Sequence, residues 1–527
     1  MRRFLVLALL ALPSLAAPPD LVVVVSIDQF PQEYIERFEP WFGEGGFRRF
    51  MTEGAYYPDA WYPFATTYTC VGHATIGTGQ LPRTHGIIAN EWFDDDTRES
   101  VYCVEDPRAR SSSGEEGSYS PLRLGADTLG DRLQERFDGS EVIGVGLKDR
   151  SGILMAGRKG DAAYWFEGGR FVSSSYYDYS TRVLEFNGSL EAFLRRHPRW
   201  EASGLIPEAD LARVTYDPEA LRKHKGGPSL PITIETVGDL TYTPFGNDLV
   251  LELARHVIEV EWMGRADGAP DILWVGLSSM DYLGHRYGPD SREVADAVVR
   301  LDRSLAAFVA DLEERFGDRV TVALTADHGT QAIPEVARAR GRDAGRVDIR
   351  ERAQELEAGI ARNLGLEVPE PSPLNRFILA VEQPSFYLNW DYVEALGLDG
   401  ARVADAVAAA LEEIPGVDDA FTAVELMSTA PPSTALERAA RLSFRADRAG
   451  DVLAYLEPGW IYSGGTTGST HGQAVEADQH VVLMLWGNGV PRGVFTDRAE
   501  IQQLARTLGA LLGVDAGTPG GAVLPGW

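Results

Sequence analysis

Lysine is nearly absent from this chain. Lys148, Lys159, Lys223 and Lys225 are the only four in 527 residues, so arginine supplies almost all of the 49 positive charges. Acidic side chains number 78, which leaves a net charge of −29. That excess favours solubility and argues against a nucleic-acid-binding surface. It also repels anions, so any phosphate site must build its own positive field from metals, Arg and Lys. Cysteine is scarcer still. Cys70 and Cys103 permit one intrachain disulfide, and their spacing does not decide whether it forms.

Long apolar runs are confined to the N-terminus. Arg2 and Arg3 precede FLVLALLALPSLAA, and Ser14-Leu15-Ala16 offers small residues at a cleavage spacing. Residues 1 to about 17 therefore read as a secretory signal peptide, with a retained anchor as the alternative. The run is short for a membrane span, and no other stretch approaches spanning length. A soluble, exported protein is expected, periplasmic or secreted, without a stable membrane anchor once the signal is removed. The 44% apolar and 24% charged content suits a globular chain and excludes global disorder. No internal repeat is visible.

What is present is a set of short apolar runs that end in polar chemistry. LVVVVSI ends at Asp28, VIGVGL at Lys148-Asp149-Arg150, ILWVGL near Asp281 and VTVALT near Asp327, while HVVLMLWG follows His471. Runs apolar on both faces suit buried strands of a parallel sheet. Between them lie amphipathic helical patterns, at about 125–137, 290–317 and near the C-terminus. Strand–helix alternation predicts an α/β fold: a doubly wound, mostly parallel sheet flanked by helices. In such sheets ligands bind beyond the carboxyl ends of the strands. The stretches at about 155–265 and 331–465 read as cap-forming insertions in a single catalytic domain over 18–527. The run SSSGEEGSYS (111–120) reads as a surface loop.

The chemistry sits at those strand ends. Asp281 and His285, four residues apart, share one turn of helix or a tight loop. Asp327 adjoins His328, Asp28 follows the first strand, and His471 arrives from far along the chain. Six carboxylate and imidazole donors are enough for two divalent metals with positions left for substrate, and zinc suits that donor set. This predicts a two-metal enzyme acting on phosphate or a related ester. The segment TTYTCVGHATIGTG (66–79) carries the nucleophile candidates. Thr66, Thr67 and Thr69 compete, with Cys70 beside them, and spacing does not choose. Lys148 and Arg150, two apart on a strand, would converge on one anion.

The segments TCVGHATIGTGQLPRTHGIIANEWFD, GLKDRSGILMAG, SSMDYLGHRYGP, TADHG and THGQ resemble the alkaline phosphatase superfamily. They are most similar to the bacterial phosphate-irrepressible, threonine-nucleophile alkaline phosphatases, which are related to nucleotide pyrophosphatase/phosphodiesterases. The resemblance implies roles. Thr69 would be the nucleophile and a metal ligand. Asp281, His285 and His471 would hold one Zn2+, and Asp28, Asp327 and His328 the other. Asn90, Lys148 and Arg150 would bind the phosphoryl oxygens. No separate magnesium site is expected, because Lys148 can take the place such an ion holds in magnesium-containing relatives. Arg158 departs from the histidine that the family often has there.

The implied activity is hydrolysis of phosphate monoesters through a phosphothreonine intermediate. Broad leaving-group tolerance is expected because recognition rests on charge at the transferred group, and the enzyme is expected to be a monomer. A phosphodiesterase of the same superfamily is the alternative. Lys148 with Arg150 favours the monoester, whose transferred group carries one more negative charge. A sulfatase would need C/S-x-P-x-R, but Cys70 is followed by Val-Gly-His. The export signal argues against a glycolytic mutase. A non-catalytic metal-binding protein would be expected to have lost a ligand or the nucleophile, and none is missing.

Overall fold

Four neighbouring strands place four charged side chains in a row. In a computed structural model describing residues 17–368, 375–516 and 521–527, Leu21–Ile27 (β1), Ala55–Tyr56 (β2), Val142–Gly146 (β3), Ala162–Glu167 (β4), Arg170–Val172 (β5), Asp271–Leu277 (β6), Val320–Thr325 (β7), Leu483–Gly487 (β8) and Gly493–Val494 (β9) form one nine-stranded sheet. Its order is β5-β4-β3-β6-β1-β7-β8-β2-β9. The central run β4-β3-β6-β1-β7 is parallel. The signal-peptide reading falls on residues 1–17, nearly all outside the described part.

All residues of β1, β6 and β7 are buried. Both faces of the central strands are therefore covered, which is why these segments read as continuous apolar runs. The register pairs Ile27 with Leu277, Ser26 with Thr325, and Gly276 with Gly146. Because those strand ends are level, the residues just beyond them emerge side by side. Lys148, Asp281, Asp28 and Asp327 follow β3, β6, β1 and β7 in the spatial order of the sheet, with strand spacing of roughly 5 Å.

The long helical pattern forms Arg292–Phe316. Its stripe of Val294, Val298, Leu301, Leu305, Phe308 and Leu312 is buried, Ser291 Oγ caps the Val294 N–H, and Gly317 ends it at φ +60°.

Several local expectations are corrected. β8 is antiparallel to β7; an apolar run reports burial, not strand direction. Residues 111–120 are not simply a loop, since Glu116–Tyr119 pairs with Glu105–Arg110. The stretch 155–265 is only partly outside the central layer: β4 and β5 extend the sheet and the helix Phe245–Val260 packs on β6. Aromatic and Gly-rich composition concealed an edge hairpin. Residues 331–465 contain a four-stranded sheet in the order Ile378–Glu382, Ser385–Leu388, Val452–Leu456, Val417–Thr422. The helices Ile349–Leu364 and Gly400–Glu412 share with it a second core built on Ile360, Phe386, Val403, Val407 and Leu411.

At the opposite end of the sheet, carboxylates crowd together. Burial, followed by Asp161, Asp271 and Glu261, raises Glu141 to about 7, and burial raises Asp271 to about 6. A carboxyl held above its unfolded pKa binds its proton more tightly when folded. Its stability contribution is thus full below the ordinary glutamate range and lost as pH rises through about 7. Glu141→Gln is expected to raise the melting temperature at about pH 8 and to change it little near pH 4. Thermal unfolding at the two pH values checks this; an equal shift at both would mean the charge is not the cause.

Candidate active site

The segment expected to hold the nucleophile runs into the N-terminus of the helix Thr69–Thr78 (α1). This helix lies directly on the β7 exit: a Cβ at Gly72 would come within 2.1 Å of the Asp327 carbonyl oxygen. Only glycine allows that approach. The competing side chains have other partners. Thr66 Oγ1 pairs with the Tyr455 hydroxyl at 3.1 Å, Thr67 Oγ1 donates to the Gln473 carbonyl at 3.1 Å, and Cys70 is in a disulfide with Cys103. Thr69 Oγ1 faces His328 Nε2 at 3.3 Å. It is buried, at the positive end of the helix dipole.

Asp281 and His285 lie one turn apart on the helix Ser279–Tyr287, with His285 Nε2 3.1 Å from Asp281 Oδ1. His471 Nε2 is 3.7 Å from the same oxygen. Donor atoms of Asp281, His285 and His471 lie within 4.8 Å of one another, as do those of Asp28, Asp281 and His328. Asp281 thus belongs to both groups, whereas the resemblance assigned it to one. Asp327 Oδ2 completes the second group, 3.3 Å from His328 Nε2.

The three imidazoles share one orientation. Nδ1 of His285, His328 and His471 lies 2.8, 2.9 and 2.7 Å from the carbonyls of Ser469, Gly329 and Thr67. A carbonyl can only accept, so each Nδ1 carries a proton and each Nε2 is the ring nitrogen turned toward the carboxylates. Burial keeps His328 neutral, at about 3. Burial, then His328 and His285, lowers His471 as well. Asp28 Oδ1 and Asp327 Oδ2 are buried without a hydrogen-bond partner. His285 is shifted the other way: burial lowers it, but Asp281 outweighs burial and raises it. Inward-facing imidazoles, two of them held neutral, beside unpartnered carboxylate oxygens fit divalent cations, and carbonyl-oriented histidines are the usual support for metal ligation.

Positive charge adjoins these groups. Lys148 is the residue just before the helix Asp149–Ala156, so Lys148 and Arg150 share a strand-to-helix turn, not the strand that had been expected. Lys148 Nζ touches Asp28 Oδ2 at 2.8 Å and also bonds Asp281 Oδ2. Burial opposes its charge, but these two carboxylates outweigh burial and hold it protonated, above the ordinary lysine range. Arg150 Nη1 donates to the Tyr102 hydroxyl at 2.9 Å, which in turn donates to Asp149 Oδ1 at 2.6 Å. Asn90 Oδ1 accepts the Cys70 N–H at 3.0 Å, which leaves its NH2 group for another acceptor.

The disulfide ties α1 to the strand pair 91–102. Cross-linking over 33 residues is worth about 3–4 kcal/mol by chain-entropy accounting. It also secures Asn90, whose carbonyl accepts the Cys103 N–H at 2.9 Å.

Sequence reasoning missed three side chains here. Gln29 and His73 are buried among the carboxylates, and Tyr102 holds Arg150. His73 Nδ1 lies 2.8 Å from the Thr69 carbonyl and 3.3 Å from Asp327 Oδ2. Its place four residues after Thr69, on the same helical face, was the only available signal.

The alkaline phosphatase PafA of Elizabethkingia meningoseptica is 30% identical over 524 residues, covering 96% of this chain and 93% of that protein. The alkaline phosphatase PhoV of Synechococcus elongatus is 31% identical over 527 residues, covering 97% and 92%. The crystal structure of wild-type PafA superposes with a TM-score of 0.85 at 28% identity, over 95% of this chain and 97% of that one. Fold and donor set together define an α/β enzyme of the alkaline phosphatase superfamily. Residues 22–478 match the type I phosphodiesterase / nucleotide pyrophosphatase family, and the chain belongs to it.

Proposed function

We propose that this protein is an exported, zinc-dependent alkaline phosphatase that hydrolyses phosphate monoesters through a phosphothreonine at Thr69. The observation that carries the proposal is the gathering of three carbonyl-oriented imidazoles and three carboxylates at the strand ends, with Thr69 Oγ1 3.3 Å from His328 Nε2 and Lys148 beside the carboxylates. The alkaline phosphatase relatives at 30–31% identity over nearly the whole chain support the reading. The site takes small phosphate esters and acts as a monomer outside the cytoplasm. No described helix is long and apolar enough to cross a membrane.

Asp281, His285 and His471 would hold one zinc, and Asp28, Asp327 and His328 the other. When bound, the pair supplies charge neutralisation at the attacking and leaving oxygens and a hydroxyl that ionises near neutral pH. Thr69 Oγ1 attacks phosphorus, the ester P–O bond breaks, and the alcohol departs. Water then cleaves the phosphothreonine and releases inorganic phosphate. Asn90 and Arg150 orient the phosphoryl oxygens, and Lys148 offsets their charge. The helix dipole at Thr69 adds to the same field.

Zinc-reconstituted protein is expected to carry two equivalents, and chelation should abolish turnover until zinc is restored. Metal analysis showing fewer than about one and a half equivalents would count against two sites. Kinetics on matched phosphate monoester, phosphate diester and sulfate ester substrates test the substrate class, with the monoester expected to turn over fastest.

A further inference from the structure

Gln29 follows Asp28 and is fully buried, yet its backbone sits in the left-handed region at φ +61°. Few residues other than glycine accept that conformation, and where one does the surrounding structure must hold it there. Here it sends the two polar ends of one residue to two different carboxylates. The Gln29 N–H donates to Asp327 Oδ1 at 3.0 Å. The side-chain Nε2 donates to Asp281 Oδ1 at 2.9 Å. The amide can face Asp281 only through its nitrogen, because a carboxylate offers no proton at neutral pH.

The surroundings make room for this reach. A Cβ at Gly284 would lie 1.6 Å from Gln29 Oε1, so glycine at 284 is what admits the side chain. Asp281 is then gripped from both sides, with Oδ1 on Gln29 and Oδ2 on Lys148. Oδ1 is also the oxygen that faces His285 and His471. One residue further on, the Phe30 N–H donates to the His328 carbonyl at 2.9 Å.

We propose that Gln29 is a positioning residue that orients the two donor groups separately: through its side chain it sets Asp281 for the Asp281–His285–His471 group, and through its backbone it sets Asp327 for the Asp28–Asp327–His328 group. The inference rests on the metal-binding reading above.

Gln29→Gly removes the side chain and keeps both the backbone N–H and the left-handed conformation. Chelator competition on the zinc-reconstituted variant is expected to show one equivalent weakened about 10- to 100-fold, the usual cost of losing a group that orients a metal ligand. The other equivalent should weaken far less, because Asp281 also borders that group but its Oδ2 stays held by Lys148, and the metal-free protein should melt no lower than wild type. In a His285→Ala background the same substitution should change the remaining equivalent much less than it changes the first equivalent of the otherwise wild-type protein. Gln29→Glu, which keeps the size and loses the donor, should reproduce the weakening. Wild-type affinity for both equivalents in Gln29→Gly would overturn the inference, as would equal weakening of both together with a lower melting temperature of the metal-free protein. If the wild-type protein itself bound no zinc, the metal reading would fail with it, and the two failures are distinguished by that control.

Discussion

Thr69→Ala is expected to lower monoester turnover on the order of 10³-fold or more, as removal of an attacking group does in other hydrolases. The fold should persist, because Thr69 is buried at the first turn of a helix that Gly72 and the Cys70–Cys103 disulfide already fix against the sheet. Zinc should remain largely bound, since the three imidazoles and three carboxylates survive. Thr69→Ser should keep measurable activity, because the hydroxyl survives while the methyl that limits its rotamers is lost. Thr66→Ala should cost far less: its hydroxyl serves Tyr455, on the second sheet, and does not face the histidines. Steady-state kinetics, with trapping of labelled phosphate on the protein, distinguishes these cases. Near wild-type rates in Thr69→Ala with loss in Thr66→Ala or Cys70→Ala would remove Thr69 from the mechanism.

Removing positive charge should hurt monoesters more than diesters. A monoester's transferred group carries an additional charge, which Arg150 and Lys148 would address in the proposed mechanism. Each contact is worth roughly 2–4 kcal/mol in the transition state, or about 30- to 1,000-fold in rate. Arg150→Ala is the cleaner variant, since its guanidinium rests on Tyr102 and lies outside the carboxylate cluster. Lys148→Ala also leaves Asp28 and Asp281 facing each other without their cation, so its zinc content must be measured beside its kinetics. The expected result is a steep fall in monoester kcat/KM and a much smaller fall for any diester turnover. Equal losses on both substrates would mean that these side chains hold structure, and the preference for monoesters would lose its main support.

Much of the site was readable in one dimension because its donors follow apolar strands. LVVVVSI, ILWVGL and VTVALT announce buried parallel strands by composition, and Asp28, Asp281 and Asp327 come within a few residues of their ends. The Asp281–His285 spacing states a helical turn, and Ser291 with Gly317 brackets the long helix Arg292–Phe316. These features depend on local periodicity and burial, which sequence records directly.

Other features depended on residues far apart in the chain. Nothing near Cys70 shows that Cys103 lies against it; the strand pair 91–102 folding back on α1 does. Thr66, Thr67 and Thr69 are equivalent by composition, and they differ only because Tyr455, Gln473 and His328 arrive from elsewhere. The direction of β8 and the edge hairpin β4–β5 were likewise settled by pairing partners. Gln29 reads as an ordinary residue after a strand, and its two carboxylate partners lie 252 and 298 positions away. Sequence by itself determined the fold class, the candidate donors and their placement at strand ends, because those follow from short-range pattern. The tertiary structure alone decided which hydroxyl faces the histidines, which nitrogen of each imidazole points inward, and how Asp281 comes to be shared, because only packing brings distant segments within hydrogen-bonding distance.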